Sequence, residues 1–177
     1  METIMYRRVD SPLGPILLAA TGTGLKRIGF EQGTPPPECP PEWRALSAGT
    51  EHTEAGRTLL SAARQLEEYF AGARRAFDLP LAAEGNPFQQ RVWRELCRIP
   101  FGETRTYGQL AGRIDRPGAA RAVGSANARN PLPIVVPCHR VIGADGRLTG
   151  YYGGLRLKAF LLELERAASA SPQTALL

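Results

Sequence analysis

Cysteine and histidine are scarce in this chain of 177 residues, which has three of the first and two of the second. Cys39, Cys97 and Cys138 stand at wide, unrelated spacings, which excludes a disulfide framework and a zinc quartet. With only His52 and His139 available, a histidine-rich metal site is excluded as well. We therefore expect free thiols in a reducing cytoplasm, no bound metal and no other cofactor.

Long hydrophobic runs are missing too. No stretch of about 18 apolar residues occurs, so we expect no membrane-spanning segment and no membrane partner. Residues 1–8 lack the apolar core of a signal peptide, which again predicts a cytoplasmic protein. The length allows one domain of ordinary size or two small ones.

Acidic residues are scarce in one part of the chain. Residues 86–158 carry 12 Lys or Arg and 4 Asp or Glu, whereas residues 1–85 carry 9 and 11. A basic segment beside a neutral-to-acidic one is typical of a nucleic-acid contact. A solvated basic surface without a partner would give the same counts, so charge alone leaves both possibilities open.

Turn residues and apolar spacing predict an N-terminal module over residues 1–85. Its first part is predicted to be an antiparallel meander whose strands are separated by turns rich in proline and glycine. A helix over 54–72 follows, since apolar residues recur there at helical spacing. A linker around 83–85 places the domain boundary. The predicted strands cover residues 6–9, 16–20 and 25–30.

A C-terminal module over residues 86–168 begins with a helix. Asn86 is a good N-cap, and Pro87 suits the first helical position. The apolar face continues to Ile99, and Cys97 beside it is predicted to lie in the core.

Two shorter helices follow. Thr106 and Gln109 have the spacing of a capping box for the first helix, and Arg116-Pro117-Gly118 separates it from a second helix over 119–128. This arrangement favours a helix-turn-helix. Small residues in the second helix let a backbone approach a nucleic-acid groove, although tight helix packing uses the same residues. After a final helix, the tail at 169–177 is predicted to be disordered.

The residues with the clearest chemistry are Pro137-Cys138-His139-Arg140, which follow the apolar run 134–136. We expect Cys138 at the end of a strand-like run and at the start of a helical turn. A nearby imidazole and a helix N-terminus both lower a thiol pKa, which would make Cys138 a nucleophile with its own base. A structural cysteine is the alternative interpretation of such a pair.

Together with several other stretches, these residues resemble the O(6)-alkylguanine-DNA alkyltransferases, also called methylated-DNA–protein-cysteine methyltransferases. The resemblance is close over residues 86–166 and extends to the N-terminal part only in general layout. It implies an α+β fold, with a ribonuclease-H-like sheet-and-helix domain followed by a helical winged or helix-turn-helix domain that binds DNA and carries the catalytic residues. The matching stretches are Phe88–Trp93, Ile99–Thr104, Thr106-Tyr107, Arg121–Gly124, Asn130-Pro131, Ile134–Val141, Gly153–Leu155, Lys158 and Leu161–Glu165.

The resemblance also implies catalytic roles. Cys138 would take the alkyl group from guanine O6, His139 would act as its base through a water, and Glu165 would orient the imidazole. Glu163 is the alternative for that last role, but a helix puts it on another face. Asn130 would hold the loop and the geometry of these groups.

The leaving guanine would be assisted by Tyr107 and Lys158, which donate hydrogen bonds or a proton as charge develops on the ring. The Val141 backbone would read the guanine edge, and the tyrosine loop would wall the pocket, with the Tyr152 N–H near O6. The substrate-binding residues implied in this way are Val141, Tyr151, Tyr152 and Gly153.

The implied partner is double-stranded DNA containing alkylated guanine, and O(4)-alkylthymine is a further candidate substrate. The target base is stacked, so a monomeric protein would flip it out, with the helix-turn-helix in the minor groove and Arg121 filling the gap. The DNA-binding residues implied are Arg121, Ala122, Gly124, Ser125 and Arg129. Because a sulfur–alkyl bond has no good leaving group, each molecule would act once, as a suicide enzyme.

The chain departs from the family pattern at Tyr152, where the family usually has a small residue. A side chain of that size would either narrow the pocket or turn outward. Ala128, at a position often held by glycine, is a minor departure. Some members bind zinc through N-terminal Cys and His residues, but only Cys39 and His52 are available here, so no zinc is expected.

Three other functions fit parts of the pattern. An alkyltransferase-like protein would recognise the lesion without repairing it, but that class lacks the nucleophilic cysteine. A cysteine hydrolase would need an oxyanion hole and repeated turnover. A helix-turn-helix regulator would use Cys138 only as a structural residue.

Overall fold

The computed structural model describes residues 2–33 and 35–171, and its N-terminal part is built on a small sheet. Three strands form the predicted antiparallel meander, and a fourth, two-residue strand pairs in parallel with the first. The strands are β1 (Met5–Val9), β2 (Ile16–Thr21), β3 (Gly24–Phe30) and β4 (Arg44–Ala45). Their order in the sheet is β3-β2-β1-β4. A two-residue strand has no detectable alternation, so β4 could not be predicted.

Helix α1 (Glu54–Phe70) covers this sheet. The Thr53 side chain caps it by accepting a hydrogen bond from the Gly56 N–H at 3.0 Å. Its apolar stripe, which includes Leu59 and Leu66, is buried against the strands. At the other end Gly72 takes a positive φ of 75°, a conformation that glycine adopts without strain, and the chain turns away. The predicted helix is confirmed.

The C-terminal part is mainly helical. The predicted capping box at Thr106 and Gln109 is present, and the predicted N-cap Asn86 also forms a capping box, with Gln89. The two short helices, Tyr107–Arg113 and Ala120–Ala128, pack against each other and against the helix Pro87–Leu96, as in a helix-turn-helix. The elements are α2 (Pro87–Leu96), β5 (Arg105–Thr106), α3 (Tyr107–Arg113), α4 (Ala120–Ala128), β6 (Val141–Ile142) and α5 (Leu155–Ala170), and β5 pairs with β6 in parallel.

Two local predictions in this part are wrong. Helix α2 ends at Leu96, so Cys97 lies beyond its buried face and is exposed rather than in the core. Residues 134–136 form turns instead of a strand, and Ile134 has a positive φ of 75°. Prolines at 131, 133 and 137 cannot donate backbone hydrogen bonds, and the Val136 N–H instead closes a turn on the Leu132 carbonyl at 2.8 Å.

The predicted tail is partly helical. Helix α5 continues to Ala170, which includes residues 169 and 170, and Arg75 donates a hydrogen bond to the Ala168 carbonyl at 2.9 Å. Residues 172–177 of that prediction lie outside the described residues.

The two modules share one hydrophobic core. The Ile28 N–H of β3 donates to the Pro131 carbonyl at 2.9 Å, and Tyr69 of α1 reaches α5. These contacts place the N-terminal module directly behind the loop that carries Cys138. None of the helices in the described residues is long and apolar enough to span a bilayer.

Candidate active site

A fully buried carboxylate, Glu165 on α5, is the centre of the site. It accepts five hydrogen bonds. Burial alone would raise the pKa of Glu165, but hydrogen bonds from His139 and Arg140 and the Arg140 charge lower it to about 2. Glu165 is therefore an ionised carboxylate at neutral pH.

The Arg140 guanidinium forms a fork on this carboxylate. Its Nε lies 2.9 Å from Glu165 Oε2, and its Nη2 lies 2.9 Å from Oε1. Its Nη1 donates to the Ile99 carbonyl at 2.7 Å, and the guanidinium lies 5.7 Å from the Phe101 ring centroid. A buried charge needs such a partner, and the planar fork fixes the plane of the carboxylate.

The His139 ring is oriented by the same carboxylate, because its Nε2 lies 2.7 Å from Glu165 Oε1. An ionised carboxylate only accepts hydrogen bonds, so Nε2 carries the proton. Burial lowers the pKa of His139, against a weaker raising effect of Glu165, which leaves the ring neutral. Its Nδ1 has no hydrogen-bond partner among the described residues and can therefore take up a proton.

Cys138 is the first residue of a three-residue 3-10 turn and is only 4% exposed. Burial raises the pKa of its thiol to about 11, although the Asn130 amide, the Lys158 charge and the Tyr151 hydroxyl act in the opposite direction. The lowered thiol pKa predicted from the sequence is not found in the resting protein. So short a turn has little dipole to oppose the effect of burial.

Asn130 holds the loop that leads to Cys138. Its side-chain amide donates to the Val136 carbonyl at 2.8 Å, and its carbonyl oxygen accepts from the Leu132 N–H at 2.9 Å. These two bonds close the proline-rich turn from both sides, where backbone donors are lacking. The loop-holding role of Asn130 stays a prediction, and these two bonds are the contacts it would use.

Lys158 and Tyr107 meet at Thr149. The buried Lys158 ammonium donates to the Thr149 carbonyl at 2.8 Å, and the Thr149 hydroxyl donates to the Tyr107 oxygen at 3.1 Å. Burial lowers the pKa of Lys158 to about 8, although the Cys138 charge would raise it. An ammonium with this pKa can release its proton near neutral pH.

The two tyrosines of the loop point in different directions. The Tyr151 hydroxyl is buried beside the Cys138 thiol, and burial and the sulfur raise its pKa. The Tyr152 hydroxyl instead donates to the Pro35 carbonyl at 3.3 Å, and its ring centroid lies 6.2 Å from that of Phe30. Tyr152 thus turns toward the N-terminal module, where it lines a cavity of about 350 Å³, and does not narrow the surroundings of Cys138.

The other two substrate-binding candidates are Val141, which precedes this loop in the chain, and Gly153, which directly follows Tyr152. Val141 is buried at the start of β6, directly after the 3-10 turn. Gly153 is packed so closely that an added Cβ would lie 2.3 Å from a Leu157 carbon. A side chain larger than hydrogen at Gly153 would therefore force the Leu157 side chain to move.

The exposed face of α4 carries the candidate DNA-binding residues. Arg121, Ala122, Ser125 and Arg129 are exposed, whereas Val123 and its neighbours face the core. Gly124 is half-buried, and the Tyr107 ring lies against it, 3.7 Å from where a Cβ would be. The small residues thus leave an open outward face on α4 and allow a close approach of α3 behind it.

Comparison with known proteins identifies the family. The model described as "6-O-methylguanine DNA methyltransferase, DNA binding domain" matches residues 87–167, and the ribonuclease-like domain of the same family matches residues 4–83. The chain belongs to the 6-O-methylguanine DNA methyltransferase family. The expected α+β fold and its two-part layout are confirmed.

Individual relatives of this alkyltransferase are similar over nearly their whole length. The methylated-DNA–protein-cysteine methyltransferase of Methanosarcina barkeri is 52% identical over 160 residues, which are 90% of this chain and 96% of that protein. The Mycobacterium bovis protein of the same name is 47% identical over 97% and 98% of the two chains. The crystal structure of Mycobacterium tuberculosis OGT in complex with DNA superimposes with a TM-score of 0.81 at 46% identity, covering 93% and 94%.

Sequence reasoning missed three residues of the alkyltransferase site. Arg140 was noted only as part of the Pro137–Arg140 motif, with no role of its own, although it bonds Glu165. Thr149 contacts Lys158 through its backbone carbonyl, which any residue could supply, so its side chain gives no signal. Tyr69 is 96 positions away in the chain from its partner Glu165. The one available signal in the sequence was the positive charge of Arg140 directly after His139, which needs an acidic partner if it is buried. Within the described residues, no group of three or more metal-ligating side chains clusters together.

Proposed function

We propose that this alkyltransferase repairs O(6)-alkylguanine in DNA by moving the alkyl group irreversibly onto Cys138. It is a methylated-DNA–[protein]-cysteine S-methyltransferase, the activity for which its relatives are named. The observation that carries the assignment to this residue is the chain of groups behind the thiol. Cys138 is followed by His139, whose ring is held by Glu165 and keeps a lone pair on Nδ1. We call Cys138, His139 and Glu165 the relay.

The first step of the proposed reaction is removal of the thiol proton. Since the thiol pKa is about 11, the resting residue is neutral and needs a base. His139 Nδ1 takes the proton through a water, and Glu165 stabilises the imidazolium that forms. The thiolate then attacks the alkyl carbon, a C–S bond forms, and the bond from carbon to guanine O6 breaks.

The electron pair of the broken bond passes to the guanine ring, which leaves as guanine. Lys158 supplies a hydrogen bond or a proton to the developing charge, and Tyr107 assists through the shared Thr149. Val141, Tyr151, the Tyr152 backbone and Gly153 form the base pocket. The thioether product has no good leaving group, so each molecule reacts once.

The DNA partner is held by the exposed face of α4. Arg121, Ala122, Gly124, Ser125 and Arg129 contact the minor groove, and Arg121 fills the gap left by the flipped base. This partner is supported by the DNA complex of the M. tuberculosis relative. O(4)-alkylthymine is proposed as a second, related substrate.

Residues 1–85 and 86–168 are proposed as the two domains, acting together as a monomer in the cytoplasm. Support for the compartment comes from the three free cysteines, one of which must stay reduced to react.

The deciding experiment is the intact mass of the protein after incubation with duplex DNA carrying one O(6)-methylguanine. We expect a gain of one methyl group per protein, mapped by peptide analysis to Cys138, and no gain in Cys138→Ala. Tight binding of the lesion without a mass gain would indicate a recognition protein and contradict the proposal. Repeated turnover of a thioester or amide would indicate a cysteine hydrolase.

Arg121→Ala tests the proposed DNA contact. Flipping a paired base costs a few kcal/mol, so loss of the residue that fills the gap should slow transfer from duplex DNA by about tenfold or more. Transfer from the free base O(6)-methylguanine should be unchanged, because no flipping is required. Arg64→Ala, the same change of charge on α1, is the control, and equal slowing in both variants would contradict the specific role of Arg121.

A further inference from the structure

Tyr69 is the residue of the N-terminal module that reaches the relay. It lies in the last turn of α1 and is completely buried. Its hydroxyl donates to Glu165 Oε1 at 2.7 Å, and the two residues are 96 positions apart in the chain. His139 Nε2 bonds the same oxygen, also at 2.7 Å. A single carboxylate oxygen therefore joins the N-terminal module to the catalytic imidazole.

The ring of Tyr69 has enough apolar neighbours to explain its burial without the hydroxyl. Phe101 meets it edge-on with ring centroids 6.1 Å apart, and Phe70 does so at 5.5 Å. Phe77 lies 5.5 Å away on another side. A phenylalanine would fill this cage equally well, so the hydroxyl group itself requires a function.

We propose that Tyr69 is a positioning residue for alkyl transfer, whose hydroxyl fixes Glu165 and, through it, the orientation and basicity of His139. The N-terminal module thereby completes the relay that the C-terminal module carries. The expected effect on the rate of alkyl transfer rests on the proposed function, whereas the expected effect on His139 rests on the hydrogen bonds alone.

Three donors share Glu165 Oε1, namely Tyr69, His139 and the Arg140 Nη2. Because all three donors draw on the negative charge of one carboxylate oxygen, they compete for it, and each bond is weaker than it would be alone. Removing the tyrosine hydroxyl should strengthen the bond to His139 Nε2 and stabilise the imidazolium. It should also let the carboxylate rotate, because one of the bonds that fixes it is lost.

The charged groups that face His139 are Glu165, Arg140 and Lys158. Tyr69 faces Glu165 and Arg140, and burial raises its pKa so far that it is a neutral donor at every accessible pH. The effect of Tyr69 on His139 is therefore transmitted by a hydrogen bond and not by a charge of its own.

The test compares Tyr69→Phe with the native protein by NMR after labelling histidine with ¹⁵N. Only His52 and His139 are present, and His52 is exposed, so the buried ring can be assigned and His52 serves as an internal reference. We expect the His139 Nε2 proton resonance to move downfield in Tyr69→Phe, with His52 unchanged. In the plot of methyl-transfer rate against pH, the rise of the rate on the acid side should move to higher pH. The maximal rate should fall roughly three- to tenfold, the effect of losing one hydrogen bond.

Gln65→Met is the matched control on the same helix. Gln65 is buried and exchanges two hydrogen bonds of 2.8 Å with the Asp78 backbone, but it does not touch Glu165. This variant should lose stability without changing the His139 resonance or the rise of the rate on the acid side. If Tyr69→Phe also leaves both unchanged, Tyr69 is only a packing residue and the inference is wrong. A shifted resonance in a protein that transfers no methyl group would sustain the positioning role and reject the proposed function instead.

Discussion

Glu165→Gln is expected to abolish most alkyl transfer and to destabilise the protein by about 3–5 kcal/mol, the usual cost of leaving a buried charge unpaired. The unpaired group is Arg140, whose fork closes on both carboxylate oxygens. The glutamine NH₂ would also point at donors, since the His139 Nε2, the Tyr69 hydroxyl and the Gly102 N–H all donate to this residue. Urea unfolding and the single-turnover methyl-transfer rate measure the two effects.

The same residue predicts how stability depends on pH. Glu165 has a native pKa of about 2, below its ordinary value of 4.5. Because the carboxyl pKa is lower in the folded than in the unfolded protein, ionisation of this group stabilises the fold. The full contribution is present above the pKa of the unfolded state, and it is lost as the pH falls toward the pKa of the native state. The stability difference between the native protein and Glu165→Gln should therefore shrink as the pH is lowered from about 4.5 toward 2.

Glu163→Gln on the same helix is the control for both measurements. Glu163 is exposed and pairs with Arg166 at 2.8 Å, and such surface pairs add little to stability. We expect unchanged unfolding and unchanged transfer in this variant. Glu165→Gln with native stability and native transfer would show that the carboxylate neither pairs with Arg140 nor orients His139.

Local features of this fold could be predicted because they depend on residues close together in sequence. The N-cap at Asn86 and the capping box at Thr106 are confirmed, because each involves a side chain and a backbone group within one turn. The 134–136 turn could not be predicted, because its partner is the Asn130 side chain and not a strand. An apolar run alone does not distinguish these two environments.

The candidate site divides in the same way. Cys138 and His139 are adjacent, and the family spacing to Glu165 made the third member visible. Tyr69 could not be found, because its only mark in the sequence is an ordinary position on the buried face of α1. The departure at Tyr152 left two orientations open, and the contact with the Pro35 carbonyl selects the outward one. Such contacts between modules depend on tertiary packing and have no periodic signature.

The raised thiol pKa shows why the relay is needed. Taken alone, a Cys-His pair suggests a preformed thiolate, but burial of Cys138 opposes ionisation. A buried neutral thiol is protected from adventitious alkylation, which matters for a residue that can react only once. Burial raises the pKa of Cys97 as well, but Cys97 is exposed at the surface and is not followed by a histidine.

Lys158→Met is expected to slow methyl transfer by about a hundredfold or more, which is typical for removal of one group that stabilises developing charge. Lys158 is completely buried and donates to the Thr149 carbonyl at 2.8 Å. Burial lowers its pKa to about 8, so the fraction that carries a proton falls as the pH rises through that value. The native rate should therefore decline above pH 8, and the variant should lack this decline.

Stability separates this role from a structural one. Methionine has a similar volume and removes a cation that is costly to bury, so Lys158→Met should unfold at the same or a higher urea concentration. Arg156→Met, an exposed change on the same helix, controls for loss of charge and should transfer methyl groups at the native rate. A Lys158→Met protein with the native rate and the native decline above pH 8 would mean that guanine leaves without help from this ammonium. The proton would then have to come from the Tyr107 side of the Thr149 contact.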